Sequence, residues 1–296
     1  MRKFLCLVLV VLLSLPAYAA LDFKDLKFTG HYRLRGYYTE KDGADTTLDR
    51  YYRQRIWLGV EGNVAENVFA NVTMEFEKEW GKNNATPESP TATLVYGYVK
   101  LSKLFDKDLT LTVGRQPYQL NKNNFVIWDN ANGLDGMRLT CASVKDWTFD
   151  ALYFKVNSDT PAADGDKDDQ EVYGAVANYK GIEKNNIQAY LLFDRNDSDL
   201  AQYIGLRGEG AITSIDGLSY IAELILLSGD SGAVAKTKYR SSLYYLNANY
   251  EIKDLKNLKF IADYLVVFGD NNKADNLRLV CPNCHSQTDT FGVKNS

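Results

Sequence analysis

The chain is poor in the residues on which soluble catalysis most often depends. It has two histidines, His31 and His285, and four cysteines in 296 residues. No Gly-x-Ser-x-Gly elbow, phosphate-binding glycine loop or zinc-binding helix motif occurs, which excludes the enzyme classes built on them. A formal net charge of −4 argues against general nucleic-acid binding, which needs a positive excess. Beyond the first 15 residues no segment offers the roughly 20 consecutive apolar residues of a transmembrane helix.

What is present begins with an export signal. Arg2 and Lys3 precede the apolar run Phe4 to Leu15, and Ala17-Tyr18-Ala19 supplies the small residues of a cleavage site. Residues 1–19 are read as a signal peptide, removed together with Cys6, and residues 20–296 as one mature domain. An exported chain without a membrane helix is soluble, released, or built into an outer membrane as a barrel.

Patterning selects the barrel. The chain carries 20 tyrosines, 13 phenylalanines and 4 tryptophans at a mean hydropathy of −0.31, a low value that alternating strands explain. In Leu26 to Thr39, the residues Leu26, Phe28, Tyr32, Leu34 and Tyr38 share one parity, and Lys27, Thr29, His31, Arg33, Arg35 and Thr39 the other. Successive side chains of a strand point to opposite faces, so one face is oily and the other charged. Tyr52 to Gly62 repeats the split, with Ile56, Leu58 and Val60 opposite Arg53, Arg55 and Glu61. In Phe69 to Trp80 the carboxylates Glu75, Glu77 and Glu79 alternate with apolar residues, and they should partly neutralise the neighbouring arginines.

Ten further strands follow, to a total of about thirteen, and their connectors alternate between short turns and long loops. Among the long ones are Gly81 to Ala92, Pro117 to Gly133 and Asn157 to Gln170; among the short ones Asn63 to Asn67, Ala142 to Asp146 and Lys180 to Asn186. This asymmetry is that of outer-membrane barrels, with turns periplasmic and loops extracellular. The expected fold is therefore all-β, a transmembrane antiparallel up-and-down barrel. Parity assigns His31, Arg33, Arg35, Arg53, Arg55, Glu75, Glu77, Arg138 and Arg207 to its lumen. Those charges either act on a passing solute or pair to hold up the wall. Arg115 shares its parity with Leu111 and Val113, which would aim it at lipid unless Gly114 marks a bulge or Arg115 lies at the rim.

Leu111-Thr112-Val113-Gly114-Arg115-Gln116, followed after a long loop by Leu134-Asp135-Gly136-Met137-Arg138-Leu139, resembles the signature hairpin of the alginate-export family of outer-membrane porins. The resemblance extends to Tyr32-Arg33-Leu34-Arg35 and Arg53-Gln54-Arg55-Ile56 and covers about half of the mature chain. It marks Gly114, Arg115, Gln116, Asp135 and Gly136 as motif residues and implies a barrel of roughly eighteen strands. This chain would then hold about the first three quarters, with the C-terminal strands missing.

Cys281-Pro282-Asn283-Cys284-His285 matches the C-x-x-C-H pattern of c-type haem attachment. A disulfide between Cys281 and Cys284 is the simpler account in an oxidising compartment. Cys141 is left as an unpaired small hydrophobe. The sequence thus describes a porin-like channel for hydrophilic solutes, anionic or saccharide ones among them, in the outer membrane of a Gram-negative bacterium. Its partners are lipid and lipopolysaccharide, and no metal, resident cofactor or enzymatic chemistry is expected. Two alternatives remain: a barrel that carries electrons beside a cytochrome or through its own haem, and a structural or adhesive surface barrel.

Overall fold

The computed structural model describes residues 25–41, 47–80, 91–121, 125–127, 133–157, 170–196, 199–231, 237–252 and 258–269. The signal segment and the Cys281, Cys284 and His285 motif lie outside them. The chain divides into two compact units, residues 1–100 and 101–296.

The first unit holds β1 (Lys27–Lys41), β2 (Thr47–Ala65), β3 (Val68–Trp80) and β4 (Thr91–Leu101), each hydrogen-bonded to the next in chain order. The second holds β5 (Leu109–Gln116), β6 (Leu134–Cys141), β7 (Trp147–Asn157), β8 (Gln170–Tyr179), β9 (Asn185–Asn196), β10 (Asp199–Ala211), β11 (Leu218–Ser231), β12 (Thr237–Ile252) and β13 (Leu258–Gly269), again in chain order. The thirteen strands run antiparallel up and down, and among the described residues no helix is long and apolar enough to cross a membrane.

The strands run further toward the long loops than the sequence pattern indicates. β1 and β2 pair out to Lys41 with Thr47, so Lys41 and Thr47 to Asp49, expected in the polar loop from Lys41 to Asp49, belong to the ladder. The expected loop from Arg195 to Gln202 is a hairpin whose strands reach Asn196 and Asp199. Apolar alternation stops where a membrane would stop, whereas the backbone ladder needs only a partner strand and continues through polar residues.

Burial follows parity in the first unit. Phe28 is 79% exposed, and Tyr32, Tyr38, Leu58, Val72 and Trp80 are exposed on the same face, while Asn71, Thr73 and Glu75 on the other are buried. Exposed aromatic and aliphatic side chains over polar buried ones is the inverse of a soluble sandwich. It is the arrangement that a lipid-facing sheet requires.

Short turns are built on left-handed residues. Asn67, Asp146, Lys184 and Gly217 have φ of 59°, 63°, 56° and 82°. In three of these turns a main-chain hydrogen bond closes the loop around the left-handed residue, Trp147 to Val144, Asn185 to Ile182 and Leu218 to Ile215. From Asp108 onward, each short turn is also stitched to the next one. The amides of Ala142, Lys180, Ala211 and Glu251 donate to the carbonyls of Asp108, Asp146, Lys184 and Gly217 at 2.9 to 3.1 Å.

The largest departure from expectation lies in the second unit. The segment after β5 was expected to be an outward loop, but Tyr118, Leu120 and Ile127 are buried against the sheet. They pack on Leu152, Phe154, Val172, Val176, Tyr190, Leu192 and Ile225, with Phe125 and Val126 at the margin. Phe154 and Leu192 are fully buried. The face that carries these residues also carries Gln188, Arg207 and Glu223, so the segment covers the face expected to meet water.

Candidate functional site

The polar face of the first unit is a grid set by strand register. Three rows cross β1, β2 and β3: His31, Trp57 and Glu75; Arg33, Arg55 and Glu77; Arg35, Arg53 and Glu79. Arg53 holds Glu79 at 2.8 Å and reaches Glu77 at 3.3 Å, while Arg55 holds Glu77 at 2.7 Å and Glu75 at 3.2 Å. The Trp57 indole donates to Glu75. Two guanidiniums are thus consumed by three carboxylates. Arg33 and Arg35, directly opposite Arg55 and Arg53, have no ion pair or hydrogen bond among the described residues, since the carboxylates lie one strand too far away. Expectations of neutralisation hold for Arg53 and Arg55 but not for these two.

Aromatic rings frame the grid. Tyr37 stacks on Tyr51 with ring centres 4.8 Å apart, the Arg53 guanidinium lies 5.9 Å from the Tyr37 ring, and Trp57 meets His31 and Tyr96 edge-on at 6.3 Å. Trp57 was not among the residues singled out from sequence. Its parity with Arg53 and Arg55 was the available signal.

The motif hairpin explains its own composition. Register runs without a break from Leu109 opposite Cys141 to Gln116 opposite Leu134, so Gly114 introduces no bulge. Arg115 instead meets Asp135 directly across the ladder, with Nε on Oδ1 at 2.9 Å and Nη2 on Oδ2, near the strand end. The pair satisfies Arg115 without a change of face. Gly114, at φ 115°, stands opposite Gly136, and a Cβ on Gly136 would lie 2.1 Å from the Tyr153 carbonyl oxygen. The Gln116 amide, 1% exposed, lies back over this gap, its Nε2 donating to the carbonyls of Thr112, Gly114 and Gly136 at 3.3 to 3.4 Å.

Arg138 and Arg207 fare differently. The Arg138 guanidinium lies 5.6 Å from the Tyr118 ring centre, and its buried Nε has no hydrogen-bond partner among the described residues. Tyr118 packs on Phe154 at 5.0 Å, and its burial holds the phenol well above its usual range, with Asp150 adding to the shift. Arg207 is only 2% exposed: it pairs with Glu223 at 2.7 Å and Glu209 at 2.8 Å beneath the inward segment. The expectation that it lines an open path is corrected by that burial. Arg207 is a strut of the wall. Of the other expected path residues, His31, Arg33, Arg35, Arg53, Arg55, Glu75 and Glu77 come together on one grid.

No group of three or more metal-binding side chains occurs among the described residues. Cys141 is a free thiol on β6.

Solved outer-membrane porins share this architecture. Pseudomonas aeruginosa OccK8 (OprE) superposes with a TM-score of 0.56 at 16% identity, over 85% of this chain and 70% of its own. P. aeruginosa OccK2 (OpdF), solved with glucuronate, gives 0.53 at 16% identity over 83% and 65%, and P. aeruginosa OpdK, solved with vanillate, 0.54 at 15% over 82% and 67%. The chain therefore spans about two thirds of the length of these porins. No curated protein matches the sequence. The alginate export family model matches residues 24–276 and takes in both the charged grid and the motif hairpin. This chain belongs to the alginate export family of porin-like outer-membrane proteins.

Proposed function

We propose that this chain forms an outer-membrane channel for hydrophilic solutes, with anionic and saccharide solutes the class it serves best. The observation that carries the reading is the split in the first unit: one face exposes Phe28, Tyr32, Leu58 and Val72, and the other holds the rows of His31, Arg33, Arg35, Arg53, Arg55, Glu75 and Glu77. Lipid and lipopolysaccharide meet the first face, water and solute the second. Side chains lining a pore select by local field and by diameter. Here Arg33 and Arg35 supply the field, because Arg53 and Arg55 are neutralised by carboxylates. Residues 118–121 and 125–127 supply the narrowing, since Tyr118, Leu120 and Ile127 lie on the face that would otherwise be open. The glucuronate bound by OccK2, a sugar acid, is the kind of solute that such a face accommodates.

The full chain refolded into planar bilayers tests this. Ohmic channels with a permeability ratio favouring anions are expected, with conductance lowered by millimolar glucuronate. Absence of conductance from correctly folded protein overturns the reading in favour of a surface barrel without a pore.

A further inference from the structure

The inward segment, residues 118–121 and 125–127, is held by more than its apolar side chains. The Asn121 amide donates to Glu223 Oε1 at 2.7 Å, and the Gln188 amide donates to the Leu120 carbonyl at 3.2 Å. The Glu223 side chain is wholly buried. Its Oε2 receives Arg207 Nη1 at 2.7 Å, and its Oε1 is shared by Asn121 and the Tyr190 hydroxyl, the latter at 3.2 Å. Arg207 gives its other nitrogen to Glu209 at 2.8 Å. Two carboxylates therefore draw on one guanidinium, and Glu223 Oε1 relies on neutral donors. Tyr190 belongs to the wall, whereas Asn121 belongs to the segment.

Apolar contacts are non-directional, so Tyr118, Leu120 and Ile127 on their own accept many placements over a greasy sheet. A buried carboxylate accepts few, because each lone pair left without a donor is costly. We propose that Asn121 and Glu223 are the positioning residues of the narrowing: the buried carboxylate of β11 selects one placement of the segment and so sets the width of the path. The proposal rests on reading residues 118–121 and 125–127 as the constriction. The dependence is mutual. Loss of Asn121 strips a donor from a buried charge, and loss of Glu223 takes away the carboxylate that Asn121 and Arg207 share.

Hydrogen exchange of the full chain folded in detergent reads the placement without reference to transport. The Leu120 amide, which donates to the Ile127 carbonyl at 3.2 Å, reports on the segment, and the amides of β10 and β11 report on the wall. Removing a hydrogen bond to a charged group lowers the ratio of seated to displaced segment by about tenfold or more. Asn121→Ala should therefore raise Leu120 exchange by about tenfold while the strand amides stay protected. Asn121→Asp, of the same size but facing Glu223 with like charge, should raise it further. Both variants should also show a second, larger current level in bilayers. Asn121 lies outside every strand, so the wall folds in each case. Unchanged Leu120 exchange in both variants overturns the proposal. Faster exchange in variants of a protein that never conducts leaves the positioning role standing and removes the channel reading instead.

Discussion

Four arginines share one face of β1 and β2, yet neutralising them in pairs should have unlike consequences. Arg33→Gln with Arg35→Gln removes two cations that have no partner among the described residues, whereas Arg53→Gln with Arg55→Gln uncouples Glu75, Glu77 and Glu79. An anion about 5 Å from one exposed guanidinium gains about 0.8 kcal/mol in water, and two such charges double this before screening. Screening at about 0.1 M salt, with a Debye length of about 10 Å, leaves on the order of 1 kcal/mol, so losing Arg33 and Arg35 should lower anion permeability about fivefold and the anion-to-cation permeability ratio by at least as much. Stability should stay within about 0.5 kcal/mol, because no ion pair or hydrogen bond among the described residues is broken. The Arg53 and Arg55 pair changes net charge equally but takes from Glu75, Glu77 and Glu79 their guanidinium partners, at a cost of about 1 to 3 kcal/mol for each broken pair. Reversal potentials under a salt gradient and urea unfolding in micelles measure the two quantities on the same samples. If the first pair leaves selectivity unchanged, or the second leaves stability unchanged, the division of the grid into free and consumed cations is wrong.

Three further outcomes are expected. Gly136→Ala should abolish refolding, since its Cβ would lie 2.1 Å from the Tyr153 carbonyl oxygen, whereas Gly208→Ala, whose nearest neighbour would be Tyr220 Cε2 at 3.8 Å, should refold with wild-type yield; heat-modifiability on gels separates them. Leu58→Arg on the exposed apolar face of β2 should cost about 2 to 4 kcal/mol in bilayers, and a neutral result in unfolding titrations would place that face in water. Tyr118, held protonated by burial, should release its proton only well above the ordinary value of 10.0. Because its folded pKa is raised, the stability it contributes is complete below the unfolded value and is lost as pH climbs above it. Absorbance titration of wild type against Tyr118→Phe checks the sign: the segment should loosen in strong base in the first and not in the second.

The lipid-facing half of the fold was legible because a period of two is a strong signal when one face meets oil. Strand number, strand order and the parity of Arg33, Arg35, Arg53, Arg55, Glu75 and Glu77 all follow from it. The inward segment was not read, although β7, β9 and β11 carried its trace. Ala151-Leu152-Tyr153-Phe154, Tyr190-Leu191-Leu192-Phe193 and Leu224-Ile225-Leu226-Leu227 are apolar on both parities, which marks a strand buried on both faces. Read as alternation with exceptions, they hide the partner that covers them. Arg207 escaped for the same reason, since parity gives the face of a residue and not what lies over that face. The Arg115 side chain escaped because an apolar parity does not reveal an aspartate directly across the ladder.

The stitched turns have a consequence for how errors spread. Asp108, Asp146, Lys184 and Gly217 each give a carbonyl to the hairpin that follows, so each short turn after Asp108 inherits its alignment from the one before. Deleting a single residue there would not stay local. With the partner offset by one position, the greasy and the watered sides would trade places in every later strand, and one lost peptide unit would turn a large part of this wall inside out.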